Sequence, residues 1–301
     1  MNSNLTRPQL LNIGCGSHFH PEWVNVDLVA QTPQVIAHDI ATGLPFDADD
    51  FMAVYHSHVL EHLHPDDGKQ LLLECFRVLR PGGVLRICVP DLEQITQLYL
   101  GFLNAACLGD AAAQANYEWM KLELLDQLVR DRSGGRMGQY LVDPEIPNLE
   151  FVQSRMGAEA NIRNSKNVAE PGISKPTNQK LNTGRSTTTQ RIRRYLLDFR
   201  LRLATKLVTV LLGKKTARAF AEGLFRSRGE VHRWMYDRYS LSKLCQECGF
   251  ESVRVCTAFD SEIDNFAAYQ LDARGNSVRK PDSLFMECRK PQTAALAKKA
   301  A

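Results

Sequence analysis

The sequence predicts an α/β protein built on an open, doubly wound, mostly parallel sheet of seven strands, with a large, mainly helical insertion between strands five and six. Three observations carry this expectation. Short apolar runs alternate with helical periodicity over the first 90 residues, and the same texture returns after residue 240. The stretch between them differs in composition and in charge.

Leu10-Leu11-Asn12-Ile13 is a short apolar run ending at Gly14, as expected of a strand buried on both faces. Val24–Asp27, Val35–Ile40 and Phe51–His56 read as the next three strands. Asp66 and Asp67 open a helix through Leu79, with an apolar stripe of Leu71, Leu72, Cys75, Phe76, Val78 and Leu79; Pro81-Gly82-Gly83 stops it. Val84–Val89 is a fifth strand, closed by Pro90-Asp91. From Leu92 to about Arg132 the pattern is helical, with a break near Gly109. Residues 165–190, rich in Ser, Thr, Asn, Lys, Pro and Gly, read as a flexible linker. Ser240-Leu241-Ser242 caps a helix ending at Gly249, and Val253–Ala258 and Ser283–Cys288 complete the sheet.

The formal charge of +3 conceals an asymmetry. Residues 1–164 hold 11 Lys+Arg against 21 Asp+Glu, a balance of −10, whereas residues 165–229 hold 15 against 3, a balance of +12. Within the basic block, Ile192, Leu196, Phe199, Leu203, Leu207 and Val210 share one helical face, and Leu197, Leu201 and Val208 add a second apolar stripe. Packing within the protein or a homodimer, an anionic membrane surface through residues 191–212, and nucleic acid compete for this helix, in that order. Phosphate contacts need only the basic face, so the apolar stripes disfavour nucleic acid.

Hydrophobic residues at 44% and charged residues at 24% exclude a fibrous or wholly disordered chain. No uncharged apolar run approaches the ~18 residues needed to span a bilayer. With no export signal at the start, the 8 cysteines are expected as reduced thiols in the cytoplasm, with peripheral attachment to the inner face of the membrane as the variant. Cys245-x-x-Cys248 lies on an amphipathic helix and reads as core thiols.

A strand ending in Gly14-Cys15-Gly16 lets the backbone turn sharply and approach a ligand closely. A dinucleotide fingerprint would need a third glycine at position 19, which is Phe19, and its acid about 20 residues on. Asp27 instead follows Gly16 by eleven residues. A carboxylate at the tip of strand two can accept both hydroxyls of a ribose, and Asp39 at the end of strand three can reach an adenine amino group. Leu11–Gly16, Val26-Asp27, His38-Asp39-Ile40, Val59-Leu60-Glu61-His62 and Arg77–Gly83 stand in the order and spacing of class I S-adenosylmethionine-dependent methyltransferases, whose type-11-like branch the chain resembles. The resemblance implies a Rossmann-like sheet and S-adenosylmethionine as cofactor. Gly14, Cys15, Gly16, Asp27, Leu28, Asp39, Ile40, His56 and Ser57 would then line its site. One departure is that His18–Trp23 leaves no room for the usual helix after strand one, so a loop must close that side.

The run from Tyr55 to His64 invites a metal reading, but a His-x-His-x-Asp-His hydrolase pattern would need Asp where Leu60 stands, and only His232 follows downstream. No metal is expected. His58 is a candidate base for a hydroxyl acceptor. The run Arg226–Tyr239 gathers His232, Trp234, Tyr236, Asp237 and several arginines, a set suited to a saccharide or other polar ring. That run, with Asn116–Trp119, Ser261–Ile263 and Arg279–Leu284, is similar to a methyltransferase subgroup associated with bacterial surface-polysaccharide biosynthesis. The expectation is O-methylation of a saccharide or glycan precursor, with His58, His232 and Asp237 as catalytic candidates. His62, Asp91, Arg228, Trp234 and Tyr236 are the acceptor candidates. A small-molecule or RNA methyltransferase, or a non-catalytic module of a polysaccharide assembly complex, are the alternatives. The expected organisation is a cofactor-binding half at 1–91, a helical excursion at 92–164, the linker at 165–190, the basic amphipathic segment at 191–229, the return to the sheet at 230–290, and a disordered tail at 291–301.

Overall fold

The computed structural model describes residues 10–157, 188–227 and 229–292, and only the backbone of residues 188–199 and Arg202. Most of the expected linker, nearly all of the expected tail and Arg228 lie outside the described residues. By contacts the chain forms two units, one from the described residues of Met1–Leu124, Pro147–Asn161 and His232–Ala301, the other from those of Leu125–Ile146 and Ile162–Val231.

The first unit is built on β1 (Leu10–Ile13), β2 (Val24–Asp27), β3 (Val35–Ala37), β4 (Phe51–Ser57), β5 (Leu79–Pro90), β6 (Glu251–Cys256) and β9 (Ser283–Arg289), with a small ribbon of β7 (Ala273–Arg274) and β8 (Ser277–Val278) between the last two. The sheet order is β3-β2-β1-β4-β5-β9-β6. β1 to β5 pair in parallel, and β9 runs antiparallel to both β5 and β6. The expected seven-stranded, mostly parallel Rossmann-like sheet is what forms. Between β1 and β4 the chain order reverses, which opens a crevice at the carboxyl ends of these strands.

Strand residues alternate between two cores. On one face Leu11, Ile13 and Val54 pack with Leu72, Cys75 and Val78 of α1 (Pro65–Val78). On the other, Leu10, Tyr55 and Cys88 pack with Trp23, Phe266 and Phe285. Burial on both faces explains why these strands read as unbroken apolar runs. Three boundaries differ from the sequence reading. β5 begins at Leu79, so Pro81-Gly82-Gly83 lies within the strand, where Gly82 N donates to Lys290 O at 2.8 Å. β3 stops at Ala37, because Asp39 caps a 3-10 turn over Ile40–Thr42. The helix expected to be capped at Ser240 begins earlier.

α2 (Leu92–Cys107) and α3 (Ala111–Val129) are separated at Gly109, whose φ of 91° continues neither helix. α4 (Gly135–Leu141) and α5 (Leu149–Met156) follow. In the second unit the Asp126 carboxylate receives Arg136 N at the start of α4 and the Arg130 guanidinium, which also reaches Glu230. α6 (Thr188–Arg226) bends at Gly213. Its Leu203, Leu207, Val210, Leu211 and Leu212 side chains are exposed, although the sequence pattern asked for burial. Among the described residues no helix is long and apolar enough to cross a membrane.

Behind the sheet, Arg86 of β5 is fully buried between Asp272 (Nε–Oδ2 2.7 Å) and Glu287 (Nη1–Oε1 2.8 Å). Its remaining N–H groups reach the carbonyls of Thr257 and Asp260, and Tyr55 Oη donates to Asp272 Oδ1 at 2.6 Å. Nothing in the sequence pattern announced this network.

Candidate active site

The turn after β1 places Gly14 and Gly16 at φ of 64° and 54°. A Cβ on Gly14 would stand 2.3 Å from Val59 Cγ2, whereas one on Gly16 would meet nothing within 4 Å. Gly14 is thus a packing requirement, and Gly16 borders open space that a ligand can enter. The Asp27 carboxylate at the tip of β2 holds the turn: Oδ2 accepts from Gly16 N at 2.8 Å and Oδ1 from Val29 N at 3.2 Å. Leu28 and Val29 beside it stand 65% and 61% exposed, an apolar surface next to an acid that a purine base would cover. Asp39 Oδ1 accepts from Ala41 N and orders the next turn, with Ile40 half-buried. The Cys15 thiol is buried, and burial followed by the Asp27 charge pushes it up to about 12, so it is no nucleophile.

The loop replacing the first helix is tied by two buried asparagines. Asn12 Nδ2 donates to Asn25 Oδ1 at 3.1 Å, and Asn25 Nδ2 to Trp23 O at 2.7 Å. These contacts, the left-handed turn and the exposed Leu28–Val29 surface fit S-adenosylmethionine. Gly14 and Gly16 would face its methionine end, and Asp27 its ribose.

At the end of β4, His56 is fully buried and its imidazole is held neutral, lowered to about 4 by burial against a smaller opposing effect of Glu61. Ser57 Oγ accepts from Arg279 Nη2 at 3.1 Å. His58 has φ of 55°, and both ring nitrogens are engaged, Nδ1 with Glu61 Oε1 at 3.0 Å and Nε2 with Ser283 Oγ at 2.9 Å. Glu61 is the residue that sequence reasoning undervalued, naming it only within the Val59–His62 motif. Its side chain is fully buried at the start of the crevice. Burial alone would push its carboxyl up; His58, then His62 and His232, outweigh this and leave it at about 2. His62 Nε2 lies 4.0 Å from Oε1, and the rings of His62 and His232 meet edge to face with centroids 4.8 Å apart.

His232 arrives from 170 positions away because Arg233 N and Trp234 N both donate to the Glu61 carbonyl, at 2.7 and 3.2 Å. Tyr236 is buried, its hydroxyl 3.1 Å from where a Gly68 Cβ would stand, and burial with the Glu61 charge raises it to about 12. Trp234 is 49% exposed. Leu92 N bonds to Tyr236 O, and the neighbouring Asp91 caps α2 through Gln94 N. Asp237 has a structural task whatever its part in the reaction. It is the N-cap of α7 (Arg238–Glu247), its Oδ1 accepting from Tyr239 N and Ser240 N in a reciprocal capping box.

Residues 11–87 match the family of methyltransferase domains. A search among curated proteins gave no match. Among solved structures, a Haloferax volcanii complex of a methyltransferase with its activator aligns at 18% identity over 30% of this chain and 48% of that one, with a TM-score of 0.24. This chain therefore spans about half the length of that relative. An S-adenosylmethionine-dependent methyltransferase from Thermotoga maritima aligns at 10% identity over 95% of this chain and 84% of that one, at a TM-score of 0.35. A Haemonchus contortus phosphoethanolamine N-methyltransferase, solved with S-adenosylmethionine, aligns at 11% over 95% and 49%, at 0.33. The glycine turn, the acid at the tip of β2 and the family match fall in the same stretch: residues 11–87 of the chain are similar to a methyltransferase domain, set in a Rossmann-like sheet.

Proposed function

We propose that the protein methylates a hydroxyl group, and that the acceptor is a saccharide or glycan precursor. The observation that carries this reading is the Glu61 carboxylate, buried two residues after the Val59 that packs against Gly14 and ringed by His58, His62 and His232. Bound S-adenosylmethionine supplies a methyl group already activated on a sulfonium. The protein then has to align the acceptor and, for a hydroxyl, receive its proton as the oxygen gains the methyl group. His232 is the imidazole placed for this, with the Glu61 charge stabilising the imidazolium. His58, with both nitrogens engaged, positions Glu61. Trp234, half exposed on the segment bonded to Glu61, offers a flat face to a sugar ring.

The test is methyl transfer from labelled S-adenosylmethionine to a panel of free, nucleotide-linked and lipid-linked sugars, with amines and RNA alongside. O-methylated sugar supports the reading; transfer confined to amines or RNA overturns it. Independently, calorimetric titration with S-adenosylhomocysteine is expected to show tight binding that Asp27→Ala weakens by about 1.5–3 kcal/mol, roughly 10–150-fold.

Peripheral attachment to an anionic membrane is part of the same proposal. Exposed Leu203, Leu207 and Val210 alternate with Lys206, Lys214 and Lys215 on α6, and lipid-linked sugars are found at such surfaces. Vesicles containing anionic lipid should retain the protein at low salt and release it as salt rises. Retention unchanged by deleting residues 191–212 would remove this part.

A further inference from the structure

We propose that Glu61, His62 and His232 form a binding site for a divalent transition-metal ion. One ligand atom from each of the three lies within 4.8 Å of the other two. Two imidazoles and one carboxylate favour zinc, cobalt, manganese or ferrous iron over magnesium or calcium, which prefer all-oxygen shells. Ligand atoms around a metal with bonds of roughly 2.0–2.2 Å stand roughly 3–4 Å apart, so closing on an ion takes a movement of about 1 Å.

Three further features fit a metal site. The Glu61 carboxylate is fully buried, and His58 Nδ1 contacts it at 3.0 Å, the outer partner that orients a ligating carboxylate. The two bonds from Arg233 N and Trp234 N to the Glu61 carbonyl fix the distant His232 to the Glu61-His62 pair by backbone. His62, with a side-chain exposure of 26%, leaves a path for an ion. The sequence reading set metal aside because Leu60 stands where a His-x-His-x-Asp-His pattern needs Asp and only His232 follows; the fold assembles a different set, in which that single downstream His232 joins Glu61 and His62.

Three protein ligands leave positions open for substrate oxygen. Resting on the proposed saccharide acceptor, the ion would bind the reacting hydroxyl and a neighbouring one, fixing which position of the ring faces the methyl group; His232 would then be a ligand in place of the base, and the metal-bound hydroxyl would release its proton to solvent.

The experiment uses the full chain, purified without a polyhistidine tag, stripped with EDTA and desalted. Titration with cobalt(II) is followed by its visible d–d absorption. The expected result is saturation at one equivalent per chain, with at least tenfold weaker binding in His62→Ala, whose side chain is partly exposed and not needed for the core. His64→Ala, an exposed neighbour outside the cluster, should bind as wild type. Absence of stoichiometric uptake, or equal uptake by His62→Ala, overturns the site. S-adenosylhomocysteine calorimetry and methyl transfer on the same stripped sample separate the two readings. Transfer to sugar that EDTA leaves unchanged, with no cobalt bound, refutes the metal alone. Stoichiometric uptake with no transfer to any hydroxyl supports the site and overturns its role toward the acceptor.

Discussion

Glu61→Gln is expected to slow methyl transfer by about 10²–10⁴-fold, the range over which positioned acid–base groups act. The substitution keeps size and one acceptor oxygen but removes the charge around which His58, His62 and His232 are arranged. An imidazole that gains a proton beside a buried carboxylate is stabilised; beside a neutral amide it is not. Because Glu61 makes none of the bonds that hold the turn through Asp27, affinity for S-adenosylhomocysteine should stay within about threefold of wild type, a change worth under 1 kcal/mol. Single-turnover rates at saturating cofactor would measure the first quantity and calorimetry the second. A rate within threefold of wild type would mean that the carboxylate only shapes the loop.

Arg86→Met is expected to destabilise the fold by about 3–5 kcal/mol, since it strands two buried carboxylates without their common cation. Both Asp272 and Glu287 are almost completely buried, and the guanidinium also stacks 4.5 Å from the Phe266 ring centroid. Glu287 has a second cation in Arg254 at 2.6 Å, so Asp272 carries most of the loss. The measurement is the midpoint of chemical unfolding with the slope held constant. Asp272→Asn alongside gives the cost of the single carboxylate. A shift below 1 kcal/mol for Arg86→Met would show that water reaches the network.

Most of the sheet was legible because its strands are buried on both faces. Leu10–Ile13 and Val24–Asp27 announce themselves as apolar runs ended by glycine or acid, and the structure keeps those limits. The turn after β1 was legible for a related reason, since Gly14, Gly16 and Asp27 lie within one short stretch and shape it through local geometry. The Glu61 cluster was half visible. His58, His62 and His232 were singled out by residue type, but what joins them is a carboxylate that His232 reaches only because Arg233 N and Trp234 N bond to the Glu61 carbonyl. Asp237 carries a local signal that residue type alone did not single out, the Asp-x-x-Ser spacing that makes it the N-cap of α7. Arg86 was hidden because its partners lie 186 and 201 positions away, a separation over which no periodicity survives.

The position of β9 between β5 and β6 bears on how the chain assembles. Val84 pairs with Arg289, so a strand made early must wait for one made late. Until then β5 presents an open edge able to recruit another chain, and nascent protein is expected to need shielding from aggregation. Closing the long excursion between these strands costs little more than closing a short one, about 0.6 kcal/mol for each doubling of its length. The segment after β5 is therefore free to lengthen, shorten or be exchanged among descendants of this chain, while the cofactor half stays as it is.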